Sequence, residues 1–231
     1  MDAAGIQKKV WYGYGKAASK VGYPFDVYRP SDTLNPLVAK NWQGVQRASF
    51  TIHGASQFSF GKPSDWKSPQ FHCLSDMTFV NIFDYFVNAR YGVYFIASID
   101  AIVPPLAVEC CHNLTFYRRH TPTSATGAAL TKGYSPDYGA NLSPRVGGAL
   151  SDTPMLTNIP ASVLKAARGK TSFDLPADVG EGMYEILLPF IGGVLLRPSD
   201  VVTDEDGINY SIQAAERTGY GWRLTALANI I

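Results

Sequence analysis

Short apolar runs separated by turn-forming residues constrain the fold of this chain more than any other feature. Between residues 71 and 118, and again after residue 182, each run is about five residues long, is rich in β-branched and aromatic side chains, and is bounded by Gly, Pro or Asn. That length and composition predict strands, because helices in globular domains are usually longer. The runs lie at residues 79–83, 93–97, 106–110, 114–117, 183–189, 194–196, 200–203, 208–212 and 222–227. The sequence therefore predicts a mainly β fold with short helices.

Two segments are predicted to be helical. In residues 4–21, Ile6, Val10, Ala17 and Val21 recur at near-helical spacing. Residues 160–169 begin with proline, end with glycine and carry basic residues in the last turn, a pattern typical of a short helix.

Composition also changes along the chain. Residues 119–160 are rich in Gly, Pro, Ser and Thr and hold few core candidates. An unstructured loop of about forty residues is improbable inside one compact domain, so this stretch is predicted to be an extended linker or an arm that becomes ordered against a partner. The resulting organisation is an N-terminal helix (1–22), a β-rich domain (23–118), the arm (119–160) and a C-terminal β domain (161–231). The two domains are predicted to be small sheets or barrels.

The clearest local signal is a hairpin in residues 200–215. Its acidic run, Asp204 to Asp206, is followed by Gly207, and Asp-Gly supplies the positive φ that a tight turn requires. A similar layout begins at Asp84: an acidic residue, an apolar pair, a turn with glycine, then Tyr-x-Ile. The Tyr-x-Ile positions are Tyr94 and Ile96 in one segment and Tyr210 and Ile212 in the other. Two interpretations stay open: the domains are related, or any two β-hairpins look this alike.

Charge and hydropathy exclude several classes of partner. The net charge is +1, with 20 basic and 19 acidic residues and no long run of either sign, which indicates no broad footprint for nucleic acid or an anionic membrane. No stretch is apolar for the roughly 18 residues that a membrane-spanning helix needs. Charged residues make up only 17%, beside 13 tyrosines and 12 phenylalanines. Such a composition is typical of surfaces covered by other subunits, and equally of a large aromatic core.

The chain offers few candidates for chemistry. An odd count of cysteines (Cys73, Cys110 and Cys111) favours free thiols in a reducing cytoplasm over disulfides. Cys110, Cys111 and His112 lack the spacing of a zinc site, and the acidic run at 204–206 lacks the alternating ligands of a calcium loop. We therefore predict no metal and no cofactor. No G-x-S-x-G motif occurs, and the chain is predicted not to be an enzyme, with no catalytic residue assigned.

Two segments carry a family resemblance. Residues 10–18 (VWYGYGKAA), with residues 25–30 (FDVYRP), resemble the opening of proteins encoded in tailed bacteriophages and prophages, and residues 200–212 resemble the Asp-turn-Gly-Tyr hairpin of phage neck and tail proteins. The resemblance implies a non-catalytic virion component of the neck (the head–tail connector), tail or baseplate, assembled in the host cytoplasm. The implied partners are identical subunits in a symmetric ring and neighbouring virion proteins. It implies no catalytic residues.

Two alternatives make different expectations. A β-domain binding module that recognises a host-surface glycan or protein would have an aromatic platform of Trp and Tyr in a groove. An enzyme built on His72 and Cys73 would need both side chains to converge on a pocket.

Overall fold

The computed structural model describes residues 2–31, 35–52, 69–101, 103–118, 133–135, 140–142, 154–165 and 182–229. The N-terminal elements are α1 (Ala3–Val21), β1 (Tyr23–Tyr28), a short 3-10 helix (Ala39–Asn41), β2 (Trp42–Ile52), β3 (Gln70–Leu74), β4 (Tyr85–Asn88), β5 (Gly92–Ser98) and β6 (Leu106–Cys110). These are followed by β7 (His112–Tyr117), β8 (Gly133–Ser135), β9 (Ala140–Leu142), β10 (Leu156–Lys165), β11 (Met183–Leu188), β12 (Val201–Thr203), β13 (Asn209–Thr218) and β14 (Gly221–Asn229).

Twelve of these strands close into two antiparallel barrels. Barrel 1 has the order β1-β2-β3-β6-β5-β4, barrel 2 has the order β7-β10-β11-β14-β13-β12, and β8 pairs with β9 separately. The predicted mainly β fold with two barrel-like domains is confirmed. Both barrels close in the same order, so each strand of barrel 1 has a counterpart in barrel 2: β1 with β7, β2 with β10, β3 with β11, β4 with β12, β5 with β13 and β6 with β14.

The interior of barrel 1 follows from strand alternation. On β1, Phe25 and Val27 are buried while the residue between them points outward, as the two-residue period of a strand requires. Aromatic rings fill the centre: Phe50 and Tyr94 stack with ring centroids 3.9 Å apart. The helix α1 packs on β2 and β3 and begins at Asp2, whose carboxylate accepts a hydrogen bond from the Gly5 amide at 2.9 Å. The predicted N-terminal helix is thus present.

The two barrels share an apolar core. Outward-facing residues of β4, β5 and β6 belong to the same buried cluster as the interior of barrel 2; they are Tyr85, Phe95, Ala97, Val108 and Cys110. Only Cys111 separates β6 from β7, so one extended segment passes from the first barrel into the second. Direct packing therefore joins the barrels.

The predicted domain boundaries need correction. β7 lies inside the predicted first domain (23–118) but pairs with β10 and β12 of barrel 2, and β10 begins at Leu156, inside the predicted arm. Within residues 119–160, the stretches 119–132, 136–139 and 143–153 lie outside the described residues. The second barrel is consequently assembled from strands on both sides of the predicted arm.

Three local predictions are wrong. Residues 160–165 of the predicted helix at 160–169 form the end of β10, because β7 and β11 supply ladder partners on both sides and outweigh helix propensity. Residues 79–83 and 194–196, predicted as strands, are turns and irregular segments that precede β4 and β12. Their apolar residues divide between the core, as with Val80 and Leu196, and the surface.

Candidate functional site: paired arginine clamps and the apolar turns they hold

An ion pair between a partly exposed arginine and a buried aspartate fixes the turn that leads into β4. Arg29, the residue after β1, donates from Nε to Asp84 Oδ1 at 2.9 Å and from Nη2 to Asp84 Oδ2 at 2.8 Å. The same Nη2 reaches the carbonyl oxygen of Phe79 at 2.9 Å, and the Asn81 amide donates to Asp84 Oδ2 at 2.8 Å. The hydrogen bond to Asp84 raises the pKa of Arg29 above its ordinary value. We call this arrangement the first clamp.

The same geometry recurs in barrel 2. Arg118, the residue after β7, donates to both carboxylate oxygens of Asp200 at 3.1 Å and to the carbonyl oxygen of Leu195 at 2.6 Å. The Arg197 amide donates to Asp200 Oδ2 at 2.9 Å. The hydrogen bond to Asp200 likewise raises the pKa of Arg118. This is the second clamp.

The backbone around the two clamps also matches. Phe83 has a φ of 75° and Ser199 a φ of 76°, although neither is glycine. Their amides donate to the carbonyl oxygens of Ile96 and Ile212, at 2.7 and 2.8 Å respectively. The amides of Ile96 and Ile212 return to the carbonyl oxygens of Asp84 and Asp200, both at 3.0 Å. The resemblance between the two segments therefore extends beyond that of any two hairpins: the barrels repeat one architecture.

Sequence reasoning found the aspartates of both clamps but missed the arginines. A signal for them was present. Tyr28-Arg29 and Tyr117-Arg118 each end a strand whose alternate residues are apolar, and the two dipeptides occupy equivalent positions. The pairing itself could not be read, since 55 residues separate the partners in one clamp and 82 in the other.

Each clamp holds a turn that exposes a large apolar side chain. The carbonyl groups bound by the arginines belong to Phe79 and Leu195, whose side chains are 76% and 53% exposed. Burying such groups is favourable, and isolated exposed ones are ordinary, but equivalent exposure on two equivalent turns is a repeated feature of the surface. Other exposed apolar residues include Tyr12, Tyr23, Trp42, Val45 and Tyr220. Phe79 and Leu195 are the candidate interaction residues.

A groove of about 550 Å³ lies between the barrels. Barrel 1 contributes Phe95 and Val108 to its wall, and barrel 2 contributes Trp222 and Tyr220. Trp222 is only 6% exposed and packs at 90° against Phe190, whereas Tyr220 is 59% exposed. Among the described residues that line it, the groove thus offers one exposed aromatic ring.

The cysteines and their neighbouring histidines do not assemble a nucleophilic site. Cys73 lies inside barrel 1, where burial raises the pKa of its thiol well above the ordinary value. His72 is the adjacent residue on β3, and adjacent strand residues face opposite sides. Cys110 is buried between the barrels, and Cys111 Sγ accepts a hydrogen bond from the Val163 amide at 3.3 Å.

The acidic hairpin tip is held by turn hydrogen bonds. Asp204 Oδ1 accepts the amides of Asp206 and Ile208 at 3.0 and 2.8 Å, and Asp204 Oδ2 accepts the Tyr210 hydroxyl at 2.9 Å. Potential ligand atoms of His112, Asp204 and Asp206 lie within 4.8 Å of one another. His112 Nδ1 lies 3.0 Å from Glu205 Oε1, and the hydrogen bonds to Asp204 are those of a turn. The contacts of this cluster are therefore those that hold the hairpin turn.

Comparisons with known proteins give one distant similarity. No protein-family model and no curated protein matches the chain. Among solved structures, the phage-like element PBSX protein xkdH from Bacillus subtilis is similar over 51% of this chain and 93% of that one, at 14% identity and a TM-score of 0.30. A TM-score of that size does not show a shared fold. In the described part of the chain, no helix combines the length and apolarity needed to cross a membrane.

Proposed function

We propose that this chain is a non-catalytic structural subunit of a tailed-phage particle, assembling with copies of itself and with neighbouring virion proteins. The observation that carries the proposal is the exposed apolar side chain on a clamped turn in each barrel, Phe79 in one and Leu195 in the other. The sequence resemblance of residues 10–18, 25–30 and 200–212 supplies the biological context: a neck, tail or baseplate component located in the virion.

The clamps suit these turns for binding. A turn held by a bidentate arginine and several backbone hydrogen bonds has little freedom left to lose, so a partner that covers its apolar tip does not pay the usual ordering cost. Large apolar side chains in that setting are the type of residue that dominates interface energetics. One chain would thus present two equivalent anchors, each on its own barrel.

Other parts of barrel 1 support an assembly role. Trp42 and Val45 are exposed on the outer face of β2, and the indole nitrogen of Trp42 donates to Asp26 Oδ1 at 2.9 Å, which orients the ring against the barrel wall. Their partners on β1 are Tyr28 and Asp26. An oriented, exposed indole on a rigid strand is well suited to a subunit contact.

Mass measurement tests self-assembly. Sedimentation velocity and native mass spectrometry of the full chain are expected to show a closed multimer, and electron microscopy a ring. Phe79→Asp and Leu195→Asp are expected to shift the population towards the monomer, because each buries a charge in the contact. Ala89→Asp, on an exposed turn between β4 and β5, is the matched control and should leave the mass unchanged. A chain that stays monomeric at every concentration overturns self-assembly.

The virion assignment needs a separate test. Particles of the phage or prophage that encodes the chain should contain it at a fixed copy number, measured by quantitative mass spectrometry after gradient purification. Particles of normal composition that lack the chain would contradict the assignment.

The groove favours a second candidate function, recognition of a glycan. Tyr220 is exposed there beside the ion pair of Glu185 and Arg223, and stacking rings beside polar groups are typical of sugar sites. With Trp222 buried, the platform is incomplete, which makes this the weaker candidate. A glycan titration followed by tryptophan fluorescence tests it: binding that Tyr220→Ala abolishes would support recognition, and the absence of any response would reject it.

A further inference from the structure

The helix α1 packs on barrel 1 at a place equivalent to the one where barrel 1 packs on barrel 2. The equivalence follows from strand register. Tyr28 and Tyr117 end the equivalent strands β1 and β7, so the partners of those strands correspond as well: Arg47 and Ala48 on β2 are equivalent to Pro160 and Ala161 on β10. The side chains of Ala48 and Ala161 lie in the apolar cores of their own barrels, so an outer element reaches these positions through their carbonyl oxygens and through neighbouring residues.

Different elements cover these equivalent residues. In barrel 1 the cover is α1: Arg47 Nη1 donates to the Ser19 carbonyl oxygen at 2.9 Å, and a Cβ placed on Gly22 would lie 2.8 Å from the Ala48 carbonyl oxygen. In barrel 2 the cover is barrel 1.

The contacts with that surface are direct hydrogen bonds, one from barrel 1 and one from the residue that links the two barrels. The Tyr85 hydroxyl donates to the Pro160 carbonyl oxygen at 2.9 Å, and the Cys111 amide donates to the Ala161 carbonyl oxygen at 3.0 Å. Gly22 and Cys111, the residues directly before β1 and β7, are themselves equivalent. A helix and a barrel therefore cover equivalent surfaces. We call this surface the socket: it lies around Arg47 and Ala48 on barrel 1 and around Pro160 and Ala161 on barrel 2.

The helix fits its socket through small residues. Gly15 and Ala18, three residues apart, lie on one side of the helix, and Gly22 is the extended C-cap residue that follows it. A Cβ on Gly15 would be 2.9 Å from Asp76 Cβ, Ala18 is 1% exposed, and Gly22 approaches Ala48 as described. Close approach of the helix backbone leaves no room in the socket for another element.

We infer that α1 is a cap. It covers the socket on barrel 1, which is the counterpart of the surface of barrel 2 that packs against barrel 1, and so limits the row of packed barrels to two. With the cap displaced, that socket on barrel 1 accepts barrel 2 of a second copy. The docking face of the second copy is the outer side of β13 and β14, the counterpart of the β5–β6 part of the face that docks within the chain. On β12 the counterpart of Tyr85 is Val201, which is already buried within its own chain.

The two docking faces differ in strength. Phe95 and Ala97 of the face on barrel 1 are replaced at equivalent positions of barrel 2 by Ser211 and Gln213, while Val108 is replaced by Leu227. Less apolar area is available on the second face, so the contact between copies is weaker than the one within the chain. Association through it is head-to-tail and open-ended.

This inference does not depend on the proposed function, because it concerns surfaces other than the turns of Phe79 and Leu195. Any multimer that those turns build is present in the full chain with its cap in place. Association caused by displacement of the cap is therefore measured as an increase in particle mass above the mass that the unmodified full chain shows under the same conditions.

Two adjacent alanines of α1 provide the test. Ala18→Arg puts a charge into the socket and displaces the helix, whereas Ala17→Arg puts the same charge on its exposed side. In sedimentation velocity, Ala18→Arg is expected to form species that grow with concentration and Ala17→Arg to match the full chain. Adding Leu227→Arg to Ala18→Arg should return the mass to that of the full chain.

A truncation gives an independent check. The chain without residues 2–21 should associate in the same way, and a synthetic peptide of residues 2–22 should reverse the association. A variant that keeps the β circular-dichroism spectrum yet does not grow overturns the inference, as does growth that Leu227→Arg leaves unchanged. If Ala18→Arg fails to fold, the truncated chain decides by the same two criteria, and a truncated chain that also unfolds overturns the inference, since a cap is separable from the barrel it covers.

Discussion

The hydroxyl of Tyr85 donates a hydrogen bond to the carbonyl oxygen of Pro160 across the contact between the two barrels, with 2.9 Å between the oxygen atoms. Tyr85 is completely buried and Pro160 is buried as well. The bond satisfies a carbonyl group that no water can reach, so it ties the outer face of one barrel to a strand of the other. The stabilities of the two barrels are coupled through this contact.

Removing that hydroxyl isolates its contribution. Tyr85→Phe keeps the ring and leaves the Pro160 carbonyl unpaired, and we expect a loss of about 1–2 kcal/mol in the free energy of unfolding. Urea unfolding measures it. Tyr220→Phe, which removes an exposed hydroxyl, should stay within about 0.5 kcal/mol of the parent chain. Equal stability of the two variants would show that the inter-barrel bond contributes nothing.

The two clamps should respond alike to loss of the arginine. Arg29→Met and Arg118→Met each leave a buried carboxylate, Asp84 or Asp200, without its ion pair. We expect a loss of about 3 kcal/mol in each case, at the low end for a broken buried pair because the arginine side chains are about a third exposed. Thermal and urea unfolding measure the loss, with exposed Lys8→Met as the control. A large effect at one clamp and none at the other would contradict their equivalence.

The left-handed residues at the clamps should respond in opposite ways to glycine. Ser199→Gly relieves the strain of a φ of 76° at an exposed position, and we expect a gain of about 0.5–1 kcal/mol in the free energy of unfolding. Phe83→Gly relieves the same strain but removes a ring that packs against Phe190 with centroids 5.2 Å apart, so we expect a net loss. Calorimetry of both variants checks the signs. Two losses would mean that the left-handed backbone carries no strain.

Alkaline pH should weaken the fold. Burial raises the pKa of Tyr94 to about 12 and that of Tyr85 well above its ordinary value. An acid with a raised folded pKa contributes stability that is complete below the unfolded pKa, about 10 for tyrosine, and is lost as the pH rises above it. We therefore expect the free energy of unfolding to fall between pH 9.5 and 12, because both phenols ionise more readily in the unfolded chain than in the folded one. Urea unfolding across that range measures the slope.

Substitution identifies the groups responsible for the alkaline loss. Tyr94→Phe removes one buried phenol and should make the pH slope shallower. Tyr12→Phe removes an exposed phenol on α1 and should leave the slope as it is. A slope that neither substitution changes would assign the alkaline loss to other groups.

Thiol reactivity should separate the three cysteines. Cys73 and Cys110 are buried with raised pKa values, so we expect neither to react with Ellman's reagent at pH 8 until the chain unfolds. Cys111 is exposed, and partial burial of its sulfur raises its pKa, so it should react slowly in the folded chain. Counting thiols with and without guanidinium tests this. Rapid reaction of a second thiol in the folded chain would show that a barrel opens.

Local patterns determined the strands that alternate cleanly and the turns that need glycine. Phe25 and Val27 point inward as their two-residue spacing predicts, and Gly207 adopts a φ of 81° at the predicted hairpin. Residues 160–165 show where such reasoning fails. Proline and basic residues describe a helix locally, yet two neighbouring strands, distant in sequence, offered β10 ladder partners on both sides.

The sequence by itself determined the fold class, the hairpin at residues 200–215 and its resemblance to the segment at Asp84, since each depends on spacing within a few residues. The tertiary structure decided which strands close each barrel, the pairing of Arg29 with Asp84 and of Arg118 with Asp200, and the socket shared by α1 and barrel 1. Partners separated by 55 or 82 residues leave no periodic trace along the chain. Barrel closure brings each pair together, and with it the turn that exposes Phe79 or Leu195.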